Sequence, residues 1–128
     1  MESNKQSRPE VGKYAKVYKG PEGERLVVVR VGPREKSEML VRVTGVDSLM
    51  DEQIFLCQVK AMGTADKNYV ATFNDAPWNF VVVSEGLIRI NVQGIAKPIP
   101  MSFLELESQA MNAQAFLTEY LTQQGSLK

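Results

Sequence analysis

The chain contains no histidine. That removes the usual general base of serine and cysteine hydrolases, the commonest zinc ligand, and the side chain that ordinarily changes charge near neutral pH. There is one cysteine, so no internal disulfide can form. It lies in the apolar run Ile54-Phe55-Leu56-Cys57. A buried, inert thiol is expected there, since reactivity needs an accessible, electropositive setting. Net charge is absent too, with 15 basic against 15 acidic residues, whereas a dedicated nucleic-acid or anionic-membrane binder carries a basic excess. No apolar stretch approaches the ~20 residues of a membrane span. The opening decapeptide, Met1 to Glu10, is polar and has no secretory hydrophobic region. A cytoplasmic location is the expectation, with an exported or periplasmic domain freed of its signal as the alternative.

Glycine motifs are missing as well. Gly20-Pro-Glu-Gly23 has a turn's composition, and no stretch matches a dinucleotide fingerprint, a phosphate loop or a nucleophile elbow. The densest acidic cluster is Asp47, Asp51 and Glu52, interrupted by Leu49-Met50 and without the alternating acids of a calcium loop. Carboxylates suit hard cations, so these three are weak metal candidates beside the simpler alternative of a solvated loop. No cofactor and no enzymatic activity are expected, and no catalytic residue can be named.

What is present is the composition of a packed domain: 128 residues, 44% hydrophobic and 23% charged. Residues 1–12 are polar and aperiodic and read as a disordered tether, leaving 13–128 as one domain. From Tyr14 to about Val92, short β-branched and aromatic runs alternate with turn residues. This predicts an antiparallel meander with strands near 14–19, 25–31, 39–46, 54–61, 69–73, 78–84 and 87–93. The segment 94–100 reads as a connector, because Pro98 and Pro100 cannot donate to a central ladder. Ser102 and Glu105 have capping-box spacing, Met101 can staple onto Leu106, and Gly125 is placed to end a helix. Between them Phe103, Leu106, Ala110, Ala113, Leu117 and Tyr120/Leu121 recur at helical spacing, predicting one amphipathic helix over about 102–124. The expected class is α+β: six or seven antiparallel strands in a bent sheet or partly closed barrel, covered by one long C-terminal helix. Leu104, Met111 and Phe116 widen the helix's apolar surface beyond one stripe, which makes a homodimer through it an option.

Functional expectations follow from hairpin register. Taking Gly32 to Glu38 as a loop sets Val27, Val29 and Val31 opposite Val43, Val41 and Met39 on an inner face. Tyr14, Lys16 and Tyr18 then point outward beside Leu26, Val28 and Arg30, and Arg42 joins them. Ten of the 15 basic residues, but only six of the 15 acids, lie at or before Arg42. Tyrosines interleaved with Arg and Lys are what protein interfaces favour. The leading expectation is a non-catalytic domain of adaptor, inhibitor or immunity type that binds another protein through Tyr14, Lys16, Tyr18, Arg30 and Arg42. The same residues can stack on and neutralise single-stranded nucleic acid, and an ordinary solvated sheet face is the bland alternative. A second aromatic set, Tyr69, Phe73, Trp78 and Phe80, falls on one side of the fifth and sixth strands. It is a candidate lining for an apolar ligand pocket beneath the helix, which is the small-ligand-carrier alternative.

Overall fold

The computed structural model describes residues 9–125. Its strands in chain order are β1 Lys16–Lys19, β2 Arg25–Val31, β3 Glu38–Thr44, β4 Ile54–Ala61, β5 Lys67–Phe73, β6 Ala76–Ser84, β7 Leu87–Ile90 and β8 Ile99–Phe103. Helices α1 Glu105–Ala110 and α2 Ala113–Gln123 follow. Each strand pairs antiparallel with its sequence neighbour, and β8 returns to β1, so the meander is a closed eight-stranded barrel. No helix among the described residues is long and apolar enough to cross a membrane. Of the twelve residues read as a tether, 1–8 lie outside the described residues. Glu10–Gly12 run along the end of β2, where the Gly32 N–H donates to the Glu10 carbonyl (2.7 Å) and the Gly12 N–H to the Arg30 carbonyl (2.8 Å).

The first seven strands fall where the alternation predicts them. The eighth does not: it occupies the segment read as connector and helix start. Ile99 and Met101 are buried while Pro100 and Ser102 are exposed, a two-residue alternation. Pro100 is tolerated because β8 pairs with β7 over Ile99–Met101 but with β1 only at Ser102 and Phe103. At Pro100 only one side of the strand needs a donor. Pairing β8 with β1 removes both free edges that a seven-stranded meander would expose.

The expected single helix over 102–124 is corrected to two short ones. Ser102 is spent in the strand opposite Lys19, so its box with Glu105 does not form, and α1 starts after Leu104. Met111 is extended (φ −74°, ψ 132°), and Asn112 opens α2 by accepting the Ala115 N–H at 2.9 Å. The break re-phases the apolar residues. Phe116 and Leu117, both fully buried, pack with Ala113 on Val27, Val29, Val31, Leu40 and Ile54, on the outside of β2–β4. Leu104 and Met111 join the same cluster. Leu104, Met111 and Phe116 therefore pack on this chain's own sheet, while Phe103 and Leu106 stay exposed.

There are thus two cores, one inside the barrel and one beneath α2, and β2 and β3 contribute to both. This is why the expected register of their hairpin is corrected. Val31 faces Glu38, Val29 faces Leu40, Val28 faces Val41 and Val27 faces Arg42. The loop is one residue shorter than expected: Gly32 (φ 73°) and Ser37 (φ 53°) are left-handed and bracket a 3-10 turn at Arg34–Lys36, which lets Glu38 pair. A one-residue slip exchanges the two faces of a strand. Ala15, Val17, Val27, Val29 and Val31 consequently point out under α2, and Leu26, Val28, Val41 and Val43 point in.

The expected turn over Asn74–Pro77 is also shorter. Asn74 (φ 53°) and Asp75 (φ 64°) form a two-residue turn that pairs Phe73 with Ala76, and a bulge at Tyr69/Val70 then sets Tyr69 opposite Val81. In the Ser84–Leu87 turn Glu85 (φ 54°) and Gly86 (φ 77°) are left-handed, and Val81 pairs with Ile90 and Val83 with Ile88.

One end of the barrel is plugged. Met50 from the β3–β4 loop is fully buried in the interior cluster, with Val92 and Ile95 from the β7–β8 loop beside it. The two loops are tied by the Ser48 hydroxyl donating to the Gln93 carbonyl (2.6 Å) and by the Gln93 N–H on the Met50 sulfur (3.3 Å). Two helix side chains finish backbone ladders elsewhere. The Gln123 amide exchanges two 2.8 Å hydrogen bonds with the Ile54 N–H and carbonyl. Ser108 accepts the Val17 N–H at 2.7 Å.

Candidate functional site

The opposite end is open. There the inward-facing side chains of four strands surround a cavity of about 420 Å³: Lys16 from β1, Val28 and Arg30 from β2, Met39 from β3 and Tyr69 from β5. Met39 sits directly opposite Arg30, and Lys16 opposite Val28. Gly12, Lys13, Tyr14 and Arg34 complete the lip.

Local register explains how the lip is built. Lys16 faces Val28, yet Val11 faces Val31. Five steps on the first segment thus match three on β2, so two extra residues bulge out beside Lys13 and Tyr14. Tyr14 is 72% exposed, and the Lys13 ammonium lies 5.5 Å from its ring centre. Arg30 is half-buried and donates to the Gly32 carbonyl, which holds its guanidinium at the rim. Gly12 lies against it: a Cβ there would stand 3.3 Å from the Arg30 Cβ and 3.6 Å from its Nε.

Beneath the lip lie two phenols and a thiol. Burial pushes the Tyr18 phenol up to about 12, with the Tyr69 phenol adding to it. Burial raises Tyr69 too, helped by Cys57, and pushes the Cys57 thiol up to about 12. All three stay protonated through the neutral range. The Tyr69 phenol can donate a hydrogen bond into the cavity, and the thiol is not a nucleophile there.

Comparison with protein-family models, curated proteins and solved structures finds no match for this chain.

The proposed outer face of Tyr14, Lys16, Tyr18, Arg30 and Arg42 is corrected by the register. Tyr14, Lys16 and Arg30 do come together, at the mouth. Tyr18 points into the barrel, is buried, and meets Phe103 edge-on at 5.6 Å. Arg42 is on the other side of the sheet, under α2, where it pairs with Glu119 (2.7 Å) and lies 5.0 Å from the Phe116 ring centre.

Of the second set, only Tyr69 lines the mouth. Phe73, Trp78 and Phe80 pack inside the barrel around Phe55, at ring separations of 6.0 Å (Phe55–Phe73), 5.5 Å (Phe55–Phe80) and 6.1 Å (Phe73–Trp78). Trp78 donates to the Asn91 carbonyl at 2.8 Å. None lies beneath α2, because the helix covers the outside of the sheet.

Among the weak metal candidates, Asp51 accepts the N–H groups of Gly45 (2.8 Å) and Val46 (3.1 Å), and Glu52 adopts φ 65°. Asp51 thus ties a tight turn. Among the described residues, no three His, Cys, Asp or Glu side chains converge in a metal-binding group. Sequence reasoning missed Gly12, Lys13, Arg34 and Met39. The alternation places Met39 on the inner face, but without Arg30 opposite it, and the other three sit in loops whose position depends on the register.

Proposed function

We propose that the barrel binds a small organic molecule through its open end, acting as a carrier or sensor rather than as a catalyst. The observation that carries this is the shape of the interior. One end is plugged by Met50, Val92 and Ile95, and the other opens onto a cavity of about 420 Å³ floored by Val28, Met39 and Tyr69. That volume falls within the ~300–1,000 Å³ typical of small-ligand sites, and eight strands suffice to hold one small ligand. Binding without turnover is favoured because the groups at the mouth are cations and the Tyr14 and Tyr69 phenols, with no positioned acid–base pair.

Binding of a protein partner or of single-stranded nucleic acid by the five-residue Tyr/Arg set loses its support, since Tyr18 is buried inside the barrel and Arg42 lies partly buried on the other side of the wall, beneath α2. The test is a small-molecule library screened by thermal shift, with hits mapped by amide chemical shifts. Ligands should move the amides of Lys16, Arg30, Met39 and Tyr69, and Met39→Trp, which fills the cavity, should abolish their effect. Hits that map elsewhere, or that survive Met39→Trp unchanged, contradict the proposal.

A further inference from the structure

We infer that the ligand of this cavity is an organic anion, a carboxylate or sulfonate on an apolar body, with its charge at Arg30, Lys16, Lys13 and Arg34 and its body against Val28, Met39 and Tyr69. This rests on reading the cavity as a ligand site and adds to it the sign and place of the ligand's charge.

Four of the nine lining residues are cationic and none is acidic. Among the described residues, Arg25 is neutralised by Glu107 at 3.1 Å and Arg42 by Glu119 at 2.7 Å, but no such ion pair involves a mouth cation. The nearest acids in sequence, Glu10, Glu35 and Glu38, do not line the cavity. Glu38, opposite Val31, is on the outer face near Tyr120, whose pKa is raised by burial first and by the Glu38 charge second. Glu35 is exposed on the 3-10 turn and does not line the cavity. Four like charges gathered around one concavity repel each other and focus a positive potential into it. A bound anion relieves that repulsion, and charge-assisted hydrogen bonds to a guanidinium are among the stronger polar contacts.

Arg30 is built to serve. Its tie to the Gly32 carbonyl uses one of five N–H donors and fixes the plane of the fork, while Gly12, having no side chain, leaves space beside it. Tyr69, held protonated by its burial, can add a neutral donor. The apolar floor excludes a bare inorganic ion as the fitting occupant, because Val28 and Met39 would remain uncovered.

The experiment is a fluorescence titration of the folded chain with anilinonaphthalene sulfonate and with its uncharged parent, N-phenylnaphthylamine, which share one aromatic body. The sulfonate should bind about tenfold or more tightly, given two or more cations at a partly solvated lip. Raising NaCl from roughly 20 to 500 mM should weaken the sulfonate and leave the neutral probe unchanged. Lys16→Gln with Arg30→Gln should bring the two affinities together. If that double variant loses its folded circular-dichroism spectrum, the salt titration on the native chain carries the same test. Decanoate should displace the sulfonate where decanol and inorganic phosphate do not. Equal, salt-independent affinity for both probes, with both abolished by Met39→Trp, overturns the anionic assignment and leaves the ligand cavity standing. No binding of either probe, or binding indifferent to Met39→Trp, removes the cavity reading itself.

Discussion

Phe116→Ala is the perturbation with the most specific expected size. Phe116 is fully buried between α2 and the outer face of the sheet, against Val27, Val29, Leu40 and Ile54. Replacing such a ring with a methyl costs about 3–5 kcal/mol, from lost transfer energy and the cavity left behind. The ring also covers Arg42, 5.0 Å from its centre, so a further ~0.5–2 kcal/mol of cation–π attraction is lost. The Arg42 Nε is buried without a hydrogen-bond partner, so the site has no spare polar contact with which to compensate. The sum is about 3.5–7 kcal/mol, comparable to the whole ~5–15 kcal/mol stability of a typical domain. Urea unfolding should show the midpoint falling by about 2 M with an unchanged slope. Leu106→Ala is the control. The helical spacing places Leu106 in the apolar stripe, but it is 80% exposed, and its loss should cost less than ~0.5 kcal/mol. A Phe116→Ala cost below ~1 kcal/mol, or a Leu106→Ala cost of similar size to it, refutes the packing described.

Three further outcomes follow. Gln123→Ala strips two 2.8 Å hydrogen bonds from the Ile54 backbone; about 1–3 kcal/mol should be lost, with faster hydrogen exchange at the Ile54 amide, and no change in that amide would contradict the bridging role. Stability should fall in alkali. The Cys57 thiol rises from an ordinary 9.0 and the Tyr18 phenol from 10.0, each to about 12, so above pH ~9 the unfolded chain releases protons that the folded chain keeps, and stability declines toward pH ~12; urea midpoints across that span test it, and a rising midpoint reverses the sign. Cys57 should resist iodoacetamide at mild alkaline pH until the chain is unfolded, and rapid labelling of the native protein would show it to be exposed.

At Ser84-Glu85-Gly86-Leu87 the two-residue turn with its glycine fixed the register, although Phe80-Val-Val-Val83 is apolar on both faces. β2 and β3 were different. Leu26-Val-Val-Val29 and Leu40-Val41 are apolar on both faces because two cores meet there, so alternation could not decide which valines point inward, and a loop misjudged by one residue reversed them. β8 was hidden by Pro98 and Pro100, which argue against a strand unless one edge is unpaired, a condition known only once β1 is seen beside it. The 102–124 helix was suggested by Ser102 and Glu105, but strand closure claimed Ser102 first. The same slip scattered the candidate site: Tyr14, Lys16 and Arg30 were grouped correctly but assigned to the wrong side of the wall. Long-range closure leaves no local mark on the residues that perform it.

Cross-strand nuclear Overhauser effects on the native chain test the barrel and its inward-facing mouth together. Contacts of Arg30 with Met39, Val28 with Val41, and Tyr18 with Phe103 are expected. Val31 opposite Met39 and Val29 opposite Val41, with no contact between Tyr18 and Phe103, would contradict the closed barrel and the basic cavity built on it.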